Sequence, residues 1–388
     1  MLSAGQIMQD VQAEWNLHDF GTTDFVEGYH VLVKSINEEA GLTAEHEIPV
    51  RNHLLRALAN RLRMQRDIKR HPEIKDEEVL PPVFITSLPR TGSTKLQRLL
   101  AASGCFNAMN YWQTYNFAPF EDIAVAKPEA DPRIEVAARF LDWIRARAPG
   151  FIGGHPMYVD EIEEELYLLD SGFNSLYNHA AFLHVPSYIG WVLGLDPRRG
   201  FEDMRNILQY MQWQFFPGMK RRWVLKTPAL LGTESAFADV FKGTDFIVTH
   251  RHPEKILASV AALHCGCLSM YSDADFSVTA GELMMGSFGE TVRMHLAWRD
   301  SYPQDKVFDA RFGDVVSREF ELLPKIFEFL KLPFTDVERT KVAAWIKMDE
   351  ARRITPQHHQ LSEFNLTTEQ VNARFAPYLQ RYSAFLKS

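Results

Sequence analysis

Residues 83–102 constrain the fold most. Val83-Phe84-Ile85-Thr86-Ser87-Leu88 follows Pro81-Pro82 as a short run rich in β-branched and aromatic side chains, which predicts a buried strand. Pro89 and Gly92 end it in a tight turn. Lys95–Ala102 then has helix-forming residues with its apolar positions on one face, stopped by Gly104. The same grammar recurs where Trp223-Val224-Leu225 runs into Lys226-Thr227-Pro228, and where Asp245–Thr249 runs into His250-Arg251-His252-Pro253. A helical stretch, Leu231 to Phe241, separates these two, and Lys306–Phe312 is a fourth candidate strand. Strands alternating with helical patterns imply parallel βαβ units, hence an α/β fold with a three-layer core around a central parallel sheet.

The rest of the chain reads as helical. Periodicity runs from about Ser3 to Glu78, clearest in Val50, Leu54, Leu55, Leu58 and Leu62 interleaved with Arg51, Arg56, Arg61 and Arg63. It predicts a helical N-terminal extension, 1–80, packed on an α/β domain, 81–388. Within the latter, 106–219 is a mostly helical insertion with turns at Pro128, Pro132, Pro149, Pro156, Pro186 and Pro197. With 46% hydrophobic and 24% charged residues, a chain of 388 residues can bury a large core. A net charge of -8 argues against a nucleic-acid face or a polybasic membrane anchor. Three cysteines make no disulfide framework, and Cys265-Gly266-Cys267 lacks the second pair that a zinc site needs, so no metal site is expected. No basic n-region, apolar h-region or membrane span is visible, which predicts a cytoplasmic protein.

In a βαβ unit the turn from strand to helix lies at the carboxyl edge of the sheet, where backbone N–H groups and the helix N-terminus favour an anion. Here that turn is Leu88-Pro89-Arg90-Thr91-Gly92-Ser93-Thr94. Gly92 lets the backbone approach closely, the hydroxyls donate, and Arg90 offers a forked cation. The competing nucleoside-triphosphate loop needs G-x-x-x-x-G-K-[ST], which does not occur, and no apolar run ending in Asp offers a magnesium ligand.

This loop resembles the 5′-phosphosulfate-binding loop of sulfotransferases that use PAPS (3′-phosphoadenosine-5′-phosphosulfate), in particular a bacterial branch with P-R-T-G-[ST]-T, Arg90 standing where many relatives place Lys. A second stretch, Ile247–Ser259, is similar to the family's strand-loop-helix for the 3′-phosphate, with Arg251 and Ser259 eight positions apart. Lys226-Thr227-Pro228 matches a K-[ST]-P after the middle strand. The resemblance implies a P-loop-like core, PAPS as co-substrate, adenosine 3′,5′-bisphosphate as product, and a helical insertion over the acceptor side. It assigns donor binding to Arg90, Thr91, Gly92, Ser93, Thr94, Arg251 and Ser259. Near the C-terminus relatives often show H-x-Y and F-G-L, whereas this chain has Gln357-His358-His359 and Phe364-Asn365-Leu366, so no nucleotide contact is carried over there.

In-line sulfuryl transfer to a hydroxylated small molecule needs a base for the acceptor and a cation for the departing oxygen. Arg90 and Lys226 are the candidate cations. The family's acceptor-side H-P-M loop and P-E-E segment map onto His155, Glu163 and Glu164, with Ile162 in place of Pro. His155 is the preferred base, with Glu164 as its orienting partner or substitute. The five acids of Asp160–Glu165 enter an apparently helical stretch and also fit a solvated helix face. His264 is a third candidate base. Tyr111, Trp112, Tyr115, Phe117, Phe151 and Tyr158 either line an acceptor pocket or pack the insertion. Two other functions stay open at this point: a non-catalytic adenosine-bisphosphate-binding protein, and a phosphotransferase with an atypical loop.

Overall fold

The computed structural model describes residues 1–121, 131–175, 179–352 and 358–386. Pro128 and Gln357 lie outside the described residues. Four parallel strands, β1 (Val83–Thr86), β2 (Val224–Lys226), β3 (Asp245–His250) and β4 (Val307–Arg311), form a sheet in the order β2-β1-β3-β4. The alternation of side chains sorts the core into two layers. Val83, Ile85, Val224 and Ile247 face Leu96, Leu99, Leu323 and Ile326. Phe84, Leu225, Phe246 and Val248 face Met204, Leu208, Met211 and Phe237. Both faces are therefore covered by helices, and the strands read as continuous apolar runs.

Each strand sits within two residues of its expected bounds. β3 continues to His250 because that ring is buried and bonded, its Nε2 2.9 Å from Asp309 Oδ1 and its Nδ1 2.9 Å from the Tyr378 hydroxyl. Lys226 belongs to β2, and Phe312 opens a helix instead of ending β4.

The N-terminal residues form α1 (Ala4–Trp15), α2 (Phe25–Glu39) and α3 (Ala44–Arg70). Their apolar faces share one core with the insertion: Val50, Leu54 and Leu58 of α3 pack in the same cluster as Tyr111, Leu141, Phe151 and Tyr188. Two of the arginines interleaved in α3 are buried in this core. Arg63 lies 4.4 Å from the Trp15 ring centroid and bonds Asn60 and Asn116. Arg56 pairs with Asp170 and donates to the Tyr115 carbonyl at 2.6 Å. It also approaches His53 Nδ1 at 3.5 Å. His53 Nε2 meets His179 Nδ1 at 2.9 Å, and His179 Nε2 meets the Asp170 carbonyl at 3.0 Å. Burial drives both imidazoles toward the neutral form, and every ring nitrogen has a protein partner, so the ring of contacts closes on itself.

The apolar slot beside this network, lined by Phe140, Tyr167, Phe182 and Tyr271, has about 10 Å³ of room, enough for a single water at most. Tyr111, Trp112, Tyr115, Phe117 and Phe151 are buried in the core, while Tyr158 donates to the Arg352 carbonyl. No helix among the described residues is long and apolar enough to cross a membrane.

Candidate active site

The chain passes from β1 to β2 on one side and then to β3 on the other, so the sheet reverses its winding between β1 and β3, and the carboxyl ends of these two strands are where an open α/β sheet receives a ligand. The loop after β1 lies at that switch point and leads into α4 (Ser93–Ala102). Arg90 and Gly92 both have positive φ, 64° and 82°. Gly92 has little room for a side chain, since a Cβ would stand 3.1 Å from Val315 Cγ1. Arg90 in the left-handed region costs on the order of 1 kcal/mol. The buried Thr91 between them holds the turn: its Oγ1 lies 2.8 Å from the Leu88 carbonyl and 2.6 Å from Thr249 Oγ1 of β3. The Thr91 hydroxyl is thus turned into the core, which leaves its backbone for a ligand. Ser93 is buried at the first turn of α4, and Thr94 Oγ1 accepts from Lys226 Nζ at 3.0 Å.

Arg251, Ser259 and Arg90 come together. Arg251 leaves β3 with its guanidinium 4.1 Å from the centroid of Phe312 and donates to the Arg90 carbonyl at 2.9 Å. Ser259 lies on the following helix, α5 (Glu254–Leu268), where its Oγ accepts from Arg90 Nε at 3.1 Å. Arg90 Nη1 donates to the Gly154 carbonyl. Burial weakens the hold of both guanidiniums on their protons, and Arg251 adds to the effect at Arg90. Neither arginine meets a carboxylate among the described residues. Two part-buried, neighbouring cations without an acid favour an anion between them.

The acidic segment differs from the expected helix. Residues 162–164 are extended after a bend at Glu161, with Ile162 bridged to Asn110, and the helical turn begins only at Glu165–Gly172, as a 3-10 helix. Extended backbone alternates its side chains, so Glu161, Glu163 and Glu165 are buried while Asp160 is exposed. Glu163 accepts from Arg98 at 2.9 Å and lies 3.1 Å from His155 Nε2. Burial opposes its ionisation, but His155, Arg98 and Lys226 outweigh that and hold the carboxyl down at about 2. Glu164 is not the partner of His155; it faces the other way and pairs with Lys226 Nζ. Glu165 accepts the Lys226 amide at 2.9 Å and the Thr227 hydroxyl at 2.8 Å, and burial pushes its carboxyl up to about 7.

His155, Glu163, Glu164, Lys226 and Thr94 thus form one chain of contacts from the acid segment to the loop after β1. His264 stands apart, joined to none of them by a hydrogen bond or ion pair, and burial followed by His184 pushes it down to about 4. Phe312, Arg98 and Glu165 had no signal of their own in the sequence. Near the C-terminus His359 bonds Glu363, and Asn365 adopts φ 54°, which explains an asparagine where relatives often carry glycine.

Residues 81–336 match the sulfotransferase family. The chain is similar to sulfotransferase STF1 from Mycobacterium tuberculosis H37Rv, at 27% identity and a TM-score of 0.80, over 97% of this chain and 99% of that one. It shares the fold of sulfotransferase STF9 from Mycobacterium avium, at 22% identity and a TM-score of 0.85, over 100% and 98% of the two chains. No curated protein sequence matches it. The matched segment takes in both arginine loops, the acid segment and Lys226, and extends over more than half of the chain, which belongs to the sulfotransferase family.

Proposed function

We propose that the protein transfers a sulfuryl group from PAPS to a hydroxyl of a small-molecule acceptor, by in-line displacement and without a metal. The observation that carries this reading is the pair Arg90 and Arg251, two cations at the carboxyl ends of β1 and β3 with no carboxylate partner among the described residues. They suit a ligand with separate anionic groups: the 5′ end beside Arg90, Gly92 and the amides of Ser93 and Thr94, and a 3′-phosphate beside Arg251 and Ser259.

The chemistry follows from the contacts. Glu163 is ionised and only accepts, so His155 presents Nε2–H to it and keeps its lone pair on Nδ1. Nδ1 is then the atom that takes the acceptor's proton, and Glu163 steadies the resulting imidazolium. The acceptor oxygen bonds to sulfur as the bond from sulfur to the 5′-phosphate oxygen breaks. Arg90 and Lys226 stabilise the charge collecting on that oxygen. Lys226 is neutralised by Glu164 in this structure and exchanges that partner when the donor is present. The three free cysteines fit a reducing cytoplasm.

The test is binding followed by turnover. Adenosine 3′,5′-bisphosphate should raise the melting temperature. Arg251→Ala should weaken its binding by ~10- to 100-fold, as expected for a lost charge-assisted fork. Arg90→Ala should reduce turnover from PAPS by ~100-fold or more, the cost of removing one stabilising donor, and EDTA should leave turnover unchanged. Failure of the bisphosphate to bind at millimolar concentration, with tight binding of magnesium ATP, would sink the reading.

A further inference from the structure

β2 is the outer strand of the sheet, so every second amide along it faces away from β1 with no neighbouring strand to receive it. The Val224 amide donates to the Asn107 carbonyl at 2.9 Å. The next outward amide is that of Lys226, and there a side chain replaces the backbone. Glu165 Oε2 accepts it at 2.9 Å, while Oε1 accepts the Thr227 hydroxyl at 2.8 Å. Glu165 is fully buried and has no ion pair among the described residues. A lone buried carboxylate costs more than a neutral acceptor would, so its place at this strand end calls for a reason. Immediately beyond it Pro228 starts a 3-10 turn, so the carboxylate is the last hold on the outer side of β2. From this strand end the Lys226 side chain reaches Thr94 Oγ1 of the donor loop at 3.0 Å and pairs with Glu164.

We propose that Glu165 is a positioning residue for sulfuryl transfer: by closing the outer edge of β2 at Lys226 and Thr227, it sets where the Lys226 ammonium stands relative to Thr94. Its catalytic consequence rests on the donor reading above; its geometry does not. Lys226 is useful only where it meets the departing oxygen. A displacement of ~1 Å of such a group costs a reaction ~100-fold.

Glu165→Ala, Glu165→Gln and Lys226→Met in the full chain test this. Glu165→Gln keeps both contacts, because the amide oxygen accepts from Lys226 N–H and the amide NH₂ donates to Thr227 Oγ1. Protein labelled with ¹³C at the lysine Cε atoms reports the ammonium's surroundings without turnover, the Lys226 signal being the one that disappears in Lys226→Met. Glu165→Ala should move that signal toward the position of an exposed lysine. It should also lower turnover from PAPS ~10- to 100-fold while affinity for adenosine 3′,5′-bisphosphate stays within ~3-fold. Glu165→Gln should restore signal and rate, and in the Lys226→Met background Glu165→Ala should cost no further rate. An unmoved Lys226 signal in Glu165→Ala overturns the proposal, and so does an undiminished loss of rate in the Lys226→Met background. A wild-type protein that transfers nothing from PAPS would instead overturn the donor reading, and the lysine signal would still decide the place of Glu165.

Discussion

Glu163 and Glu165 are two residues apart and both buried, yet their carboxyls are pushed in opposite directions. Burial disfavours the charge at both. Glu163 is rescued by His155, Arg98 and Lys226, whereas Glu165 is held only by neutral donors, its own backbone amide, the Lys226 amide and the Thr227 hydroxyl, among the described residues. From an ordinary value of 4.5 the first falls to about 2 and the second rises to about 7. Between pH 4.5 and about 2 the unfolded chain holds the Glu163 proton more tightly, so the stability from Glu163 is complete above 4.5 and lost as pH falls. Between 4.5 and about 7 the folded chain holds the Glu165 proton more tightly, so that stability is complete below 4.5 and lost as pH rises. Each effect is on the order of 3 kcal/mol. In urea unfolding, Glu165→Gln should be more stable than the wild type at pH 8, with the difference closing by pH 4.5. Glu163→Gln should be less stable at pH 7, with the difference closing near pH 2. Differences independent of pH would contradict both assignments. Composition could not reveal this, because a run of acids looks the same on a solvated helix as on a half-buried extended segment. What separates them is Arg98, which in sequence is one more charged residue of a helix.

At the scale of elements, the turn between β1 and α4 carries two left-handed residues and is tied to β3 through the Thr91 hydroxyl. Gly92→Ala would add strain at φ 82° and press on Val315 from 3.1 Å. It should lower stability by ~1–2 kcal/mol and weaken binding of adenosine 3′,5′-bisphosphate, measurable by chemical unfolding and calorimetry; unchanged binding would remove the turn from the donor site. The strands and this turn were legible because a parallel strand covered on both faces reads as an uninterrupted apolar run, and a tight turn demands glycine. The stacking of Arg251 on Phe312 was not. Phe312 looks like the final residue of β4 and becomes part of the site only because the chain turns into a helix there, bringing the ring under a guanidinium from another strand.

Over the whole molecule, the helices before β1 and those of the insertion bury a common core, and the closed ring of Arg56, His53, His179 and Asp170 ties the two together, its histidines standing 126 positions apart in sequence. Removing one member leaves buried polar groups unpaired. His179→Ala should therefore cost ~2–4 kcal/mol while the unfolding transition stays single, followed by circular dichroism and tryptophan fluorescence together. Separate transitions would show that the N-terminal helices are stable on their own. Helical periodicity foretold these helices, but the sharing of their core depends on contacts between distant segments that no local pattern encodes.

The outer side of β2 also bears on how the protein behaves in company. An edge strand with free amides is a template on which another chain can add a strand, the first step toward aggregation. Here Asn107 occupies the position beside Val224, Glu165 the position beside Lys226, and Pro228 follows at once with no amide to offer. The strand that ends in Lys226 therefore offers a second molecule no pairing at those positions.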